Sequence, residues 1–155
     1  MNIRNCLPSD IDQVRQFVSQ CKPLGLHTAY TYWILFTYFS TTCFVMEETG
    51  QIIGFVSGVR SNEDIFFIWQ LGVKHEYRSQ GYSSLLLEKV VTAASSLGCK
   101  KIQFSIEPDN EKSLKASTSF ARKHQLSIKR IDNVYYVDSL SGKQENEVLF
   151  EMSPA

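Results

Sequence analysis

The chain has 155 residues and 17.7 kDa, with 43% hydrophobic and 21% charged residues. That is an ordinary globular composition, long enough to build one substantial core over residues 1–155. Sixteen basic side chains balance sixteen acidic ones, so the net charge is zero, which gives no basis for a nucleic-acid or anionic-membrane surface.

In chain order, Ile3 to Cys6 reads as a short strand, and Ser9 or Asp10 as the cap of a helix running to about Gln20, with Ile11, Val14, Phe17 and Val18 on one face. Pro23 and Gly25 break it. Thr28 precedes an aromatic-rich helical segment, Ala29 to Phe39. The period then changes. Cys43 to Met46 is a strand, Glu47 to Gly50 a hairpin turn, and Gln51 to Val59 its partner. Ile65 to Val73, almost continuously apolar, is expected to be buried on both faces. A helix opens after Gly81 with Leu85, Leu86, Val90, Ala93, Ala94 and Leu97 inward and stops at Gly98. Lys101 to Ile106 alternates as a strand, and Asp109 or Asn110 caps a helix to about His124. Leu126 to Val137 and Glu147 to Met152 are closing strands around a loop at Ser139 to Asn146. The order β-α-α-β-β-β-α-β-α-β-β predicts an α/β fold: a mixed, mostly antiparallel sheet flanked by helices, with a parallel crossover between the fourth and fifth strands.

One stretch carries chemistry. The fourth strand ends at Leu71-Gly-Val73, and a polar loop with Arg78-Ser-Gln-Gly81-Tyr-Ser-Ser84 then opens a helix. The first N–H groups of a helix lack intrahelical acceptors, and its dipole places roughly half a positive charge at that end, so a phosphate is favoured there. The widely spaced Cys6, Cys21, Cys43 and Cys99 form no metal-ligand pattern, so no metal is expected; they read as free thiols of a reducing compartment. With no basic-then-apolar leader and no apolar run of the ~20 residues a span requires, the expected location is cytoplasmic.

These elements and residues resemble the GNAT family of acyl-CoA-dependent N-acyltransferases. Arg78-Ser-Gln-Gly81-Tyr-Ser83 fits the family's Arg/Gln-x-x-Gly-x-Gly/Ala pyrophosphate loop, with Ser83 in place of the last small residue. The resemblance implies acetyl-CoA as co-substrate. Arg78, Ser79, Gln80, Gly81, Tyr82, Ser83 and Ser84 would lie around the pyrophosphate, Leu71, Gly72 and Val73 along the pantetheine arm, and Asn110 with Ser113 at a second contact. The likeness extends to one branch, the diaminobutyrate acetyltransferases, through Leu24 to Val45, Ile53 to Gly58, Phe67 to Gln70, Glu107 to Asn110 and Glu145 to Phe150. Where that branch tends to have Asp, Asn and His, this chain has Gly25, His27 and Gln144, all in the region expected to grip the amine.

The implied reaction is direct transfer of acetyl to a primary amine of a small diamino acid, without an acyl-enzyme. The developing oxyanion would be met by a backbone N–H of Leu71 to Val73. Asp64, Glu107 and His27 are candidates for taking the amine's proton, as is a water chain. The position at which the family usually places an acidic Tyr is Ser117, so the leaving thiolate would be reprotonated by solvent or Tyr82. His27, Tyr30, Tyr32 and Trp69 are candidate walls of the acceptor site. A protein amine or antibiotic acceptor on the same fold, and a non-catalytic acyl-CoA-binding module, are the alternatives. A homodimer through the aromatic Ala29 to Phe39 segment is compatible with the family.

Overall fold

Seven strands form one sheet in the order β1-β2-β3-β4-β5-β7-β6. In the computed structural model, which describes residues 1–155, these are β1 (Asn2–Asn5), β2 (Cys43–Glu48), β3 (Gln51–Arg60), β4 (Ile65–Val73), β5 (Lys101–Ile106), β6 (Leu126–Val137) and β7 (Gln144–Pro154). The helices are α1 (Ile11–Ser19), α2 (Ala29–Tyr38), α3 (Tyr82–Ser96) and α4 (Glu111–Lys123). Only β4 and β5 run parallel; every other neighbouring pair is antiparallel. The mixed sheet with its single parallel crossover, carried by α3, is the one the sequence predicts.

Alternation along the strands divides the apolar residues between two cores. Met46, Val56, Phe66 and Ile68 pack under α3 and α4, against Leu86, Val90, Ala94 and Phe120. Val45 and Phe55, on the opposite face, pack under α1 and α2 against Val14, Phe17, Tyr32 and Phe36. Helix α1 lies on β3, so on this second face the sheet beyond β4 carries polar side chains instead: Gln103 and Ser105 of β5, Glu147 and Glu151 of β7. No helix is long and apolar enough to cross a membrane.

Four local expectations are corrected. Strand β4 is not buried on both faces: Phe66 and Ile68 are buried, whereas Trp69 is 42% exposed, because its second face lies past the edge of the α1–α2 layer. Helix α3 buries Leu86, Leu87, Val90 and Ala94, leaving Leu85 and Leu97 exposed. Three successive leucines cannot set a helix phase; the start at Gly81 sets it. Asp10 stands at the N-cap of α1, but its side chain makes no capping bond there. Its carboxylate accepts two hydrogen bonds from Arg4, each 2.8 Å, and one from the Leu7 N–H at 2.7 Å. The Arg4 bonds hold that carboxyl below its ordinary range. Strand β7 begins at Gln144, not Glu147, since the polar Gln144, Glu145 and Asn146 pair through their backbones with Val137, Tyr136 and Tyr135 on an open hairpin where polarity costs nothing.

Candidate active site

The site begins where β4 and β5 part. They pair only through Ile65–Lys101, Phe66–Ile102 and Phe67–Gln103, after which β5 continues beside β7 and β4 beside β3. A bulge accompanies the divergence: Ser57 pairs with Gln70 and Gly58 with Ile68, which leaves Trp69 unpaired and turned outward. The Lys74 N–H donates to the Ile53 carbonyl at 2.8 Å and so fixes which way each β4 peptide points. Successive residues alternate, so Gly72 spends its backbone groups on β3, while Leu71 and Val73 aim theirs toward the wedge left by β5, where the Val73 carbonyl is taken by Arg78 and the Leu71 groups stay unpaired by any strand. A wedge edged by unspent backbone groups accepts an extended, amide-bearing chain as an added strand.

Gly72, grouped with Leu71 and Val73 on sequence grounds, therefore has another role. A Cβ there would stand 2.5 Å from Cys21 Sγ and 2.9 Å from Leu24 Cδ1. The segment after α1 closes directly on β4 at this point. Gly72→Ala is expected to lower stability by about 1–3 kcal/mol, read as a fall in Tm, and to displace the loop that carries Gly25 and His27.

Beyond Val73 a short 3-10 turn (His75–Tyr77) leads to a loop in which Ser79 and Gly81 both take left-handed backbone angles, φ 62° and 84°. Helix α3 starts directly after. None of the backbone N–H groups from Ser79 to Ser84 has an acceptor within the protein. They form a continuous cradle of donors at a helix N-terminus, the arrangement that binds phosphate. Arg78 does not extend over it. Its Nε donates to the Val73 carbonyl at 3.0 Å and its Nη2 lies 3.8 Å from Cys21 Sγ. Tyr82 is half-buried, facing Tyr77 with ring centroids 6.3 Å apart. Asn110 is the N-cap of α4, its side-chain oxygen accepting the Ser113 N–H at 3.2 Å, and Ser117 sits half-buried further along that helix.

At the other end of the wedge, the His27 ring lies 4.7 Å from the Trp69 ring and 5.5 Å from Tyr32. Burial lowers the His27 pKa, so the ring is neutral near pH 7. Tyr32 is fully buried; its hydroxyl donates to Gln70 Oε1 at 3.0 Å, and Gln70 Nε2 donates to the Gly25 carbonyl at 2.6 Å. That chain pins the Gly25–His27 loop to the bulge. Tyr32 thus supports the wall from behind, while Tyr30, 69% exposed and stacked on Trp33, points away from it.

The candidate carboxylates separate. Asp64 precedes β4, pairs with Arg60, and borders a shallow surface hollow with Glu63, Gly98, Lys100 and Lys101. Five residues of strand place it roughly 16 Å from Trp69, at the wrong end for the wedge. Glu107 is exposed just past the end of β5, at the wedge's mouth. Sequence reasoning missed Glu147. It is half-buried on β7, beside the last turns of β5, and accepts a hydrogen bond from Ser105 Oγ at 3.3 Å. Burial pushes its carboxyl above the ordinary range, and the charges of Glu107 and Glu145 add to the rise. The β7 alternation of Glu147, Leu149 and Glu151 marks the face it shares, but only the β5–β7 register shows that Ser105 stands there too. Glu151, also buried, takes a 2.9 Å hydrogen bond from Gln103 and lies 3.8 Å from Lys129. The four cysteines are all buried, and burial raises Cys6, Cys99 and Cys43, the last to about 12.

Comparison with known proteins gives a consistent result. Residues 11–118 match the acetyltransferase (GNAT) family. The L-2,4-diaminobutyric acid acetyltransferase of Halomonas elongata is 33% identical over 155 residues, covering 98% of this chain and 80% of that relative. The enzyme of the same name from Chromohalobacter salexigens is 31% identical over 144 residues, 91% of this chain and 74% of its own. Among solved structures, the diaminobutyrate acetyltransferase of Paenibacillus lautus, in complex with its substrate L-2,4-diaminobutyric acid and coenzyme A, aligns with a TM-score of 0.87 at 26% identity, over 99% of this chain and 94% of that one.

Proposed function

This chain belongs to the GNAT acetyltransferase family, and on that premise we propose that residues 1–155 form one acyltransferase domain that moves the acetyl group of acetyl-CoA onto a primary amine of a small diamino acid of the diaminobutyrate type. The observation that carries the reading is the continuity of three features: the unpartnered N–H groups of Ser79 to Ser84, the backbone edge of β4 at Leu71 that neither β3 nor β5 pairs, and Trp69 beside His27 at the far end. Their chemistry fits CoA part by part. The loop offers donors to the pyrophosphate, the wedge pairs with the amides of the pantetheine arm, and the thioester comes to lie by the bulge. The relatives' substrate supports the acceptor class.

The residues divide the work as follows. The Leu71 N–H, aimed into the wedge and held by the β3–β4 ladder, donates to the oxygen on which negative charge develops, and a preorganised backbone donor costs no reorganisation. An alkyl ammonium has a pKa of ~10.4 and must lose its proton to attack. Glu147 is the group placed to receive it: a half-buried carboxylate with a raised pKa on the face of the sheet that continues from Trp69. The charges of Glu107 and Glu145 also reach it, so this end of β5 and β7 is acidic, which draws a cation in. Asp64 is left out of this scheme, and Glu107 contributes charge at the mouth. Burial keeps Cys6, Cys43 and Cys99 protonated at neutral pH, which supports direct attack by the amine.

Purified protein incubated with acetyl-CoA and a panel of diamino acids, polyamines and peptide N-termini, with free thiol followed, tests the proposal. Thiol release greatest with 2,4-diaminobutyrate is expected. Release on peptides alone would transfer the reading to a protein acceptor, and none above background would reduce the fold to acyl-CoA binding. Exposed Tyr30 and Tyr38, with Trp33 between them, give α2 an apolar outer face, and we propose that a homodimer forms across it. Light scattering reads this directly, with a monomeric mass at micromolar concentration as the opposing result. Four buried free thiols fit a reducing compartment and support a cytoplasmic location.

A further inference from the structure

We infer that Arg78 is a positioning residue that holds the phosphate-binding loop in shape, and that its guanidinium is not itself a phosphate ligand. The inference rests on the reading of that loop as the pyrophosphate site. Three observations carry it. First, Arg78 Nε, the donor inside the guanidinium fork, bonds the Val73 carbonyl at 3.0 Å, and so ties the last residue of β4 to the residue that enters the loop. Second, its Nη2 reaches Cys21 Sγ at 3.8 Å, the same sulfur that closes on Gly72, so the guanidinium of this exposed residue is engaged toward the α1 side. Third, the tether ends directly before Ser79, a non-glycine residue at φ 62°, a conformation that costs free energy and persists only where neighbours impose it.

The geometry assigns the parts clearly. The donors for the anion are the backbone N–H groups of Ser79 to Ser84, which have no other acceptor. The side chain of Arg78 already directs its Nε to the Val73 carbonyl and an Nη2 donor to Cys21. What it supplies is closure of the 73–78 turn, without which the left-handed residues are free to relax and the N–H groups to diverge. A lysine would keep the charge but lacks a donor in the Nε position and the rigid fork that places it.

Affinity for CoA and for pantetheine, measured by calorimetry on the wild type and on Arg78→Lys and Arg78→Met at several salt concentrations, tests this. The expected result is a loss of about 10-fold or more in CoA affinity for both variants, the size of one charge-assisted hydrogen bond, with a smaller loss for pantetheine and the salt dependence of CoA binding retained. A lysine variant with near wild-type affinity, or a methionine variant whose CoA binding has lost salt dependence, would overturn it, because either marks a charge contact with phosphate. If a variant fails to fold, a crystal structure of the wild type with CoA decides the matter. Arg78 Nε still on the Val73 carbonyl supports the inference, and a guanidinium moved onto the pyrophosphate oxygens overturns it. Wild-type protein that does not bind CoA at all would overturn the loop reading itself, a result distinct from rescue by lysine.

Discussion

Glu147→Gln is expected to lower kcat by about 100-fold to 10,000-fold while leaving acetyl-CoA affinity intact, the usual span for removing a positioned general base. The substitution keeps size and the hydrogen bond with Ser105 but cannot accept the amine's proton. The pH dependence follows from the direction of the shift. A base must be ionised to act, so wild-type activity rises with pH through the raised pKa of Glu147 and the acid limb lies above the ordinary carboxylate range. In Glu147→Gln that limb disappears. Stability moves the other way. A carboxyl whose folded pKa is above its unfolded value contributes stability that is present below the unfolded pKa and is lost as pH rises through the folded one. At neutral pH the ionised Glu147 is therefore a cost, and the Gln variant should melt no lower than the wild type, and somewhat higher. Activity lost together with a rise in Tm separates a functional carboxylate from a structural one. A variant that kept its kcat would remove Glu147 from the mechanism and return the role to Glu107 or a water chain.

Ser83→Asp is expected to weaken acetyl-CoA binding by on the order of 100-fold or more, since a fixed like charge beside a bound anion costs several kcal/mol. Ser83 lies in the first turn of α3, within the run of N–H groups that have no acceptor. An aspartate there can take those donors itself and complement the helix dipole, stabilising the fold by about 0.3–1 kcal/mol. The variant should thus bind acetyl-CoA poorly, remain folded and melt at or above the wild-type temperature. Its kcat at saturating acetyl-CoA should change little, since Glu147 and Leu71 are untouched. Gly81, with φ 84°, sets the start of the helix, and a Cβ added there would meet no atom within 4 Å, so a neutral substitution at that position would test strain and not charge. Loss of kcat with unchanged KM in Ser83→Asp would contradict the phosphate assignment.

The element order, the boundaries of β4, β5 and β6, and the loop that opens α3 are legible in the sequence. Each is a local property. Strand and helix periods are written in neighbouring side chains, and a glycine-containing loop before a leucine-rich helix leaves the same N–H groups free whatever surrounds it. The departures at Gly25 and His27 were legible too, and they fall beside Trp69 in space. Which of these side chains come together is a matter of register and packing. Leu71, Gly72 and Val73 are consecutive, yet the bulge at Trp69 and the β3 register send Gly72 one way and its neighbours the other. Tyr30 and Tyr32 are two residues apart, and the helix phase buries one and exposes the other. Asp64 and Glu107 stand out in the sequence as strand-end acids, whereas nothing local marks Glu147 as a half-buried carboxylate. Its pairing with Ser105, 42 residues away in the chain, exists only because β7 is laid between β5 and β6, and burial there is what raises its pKa. A carboxylate's protonation is set by the charges and solvent around it, and those come from parts of the chain that no local pattern connects.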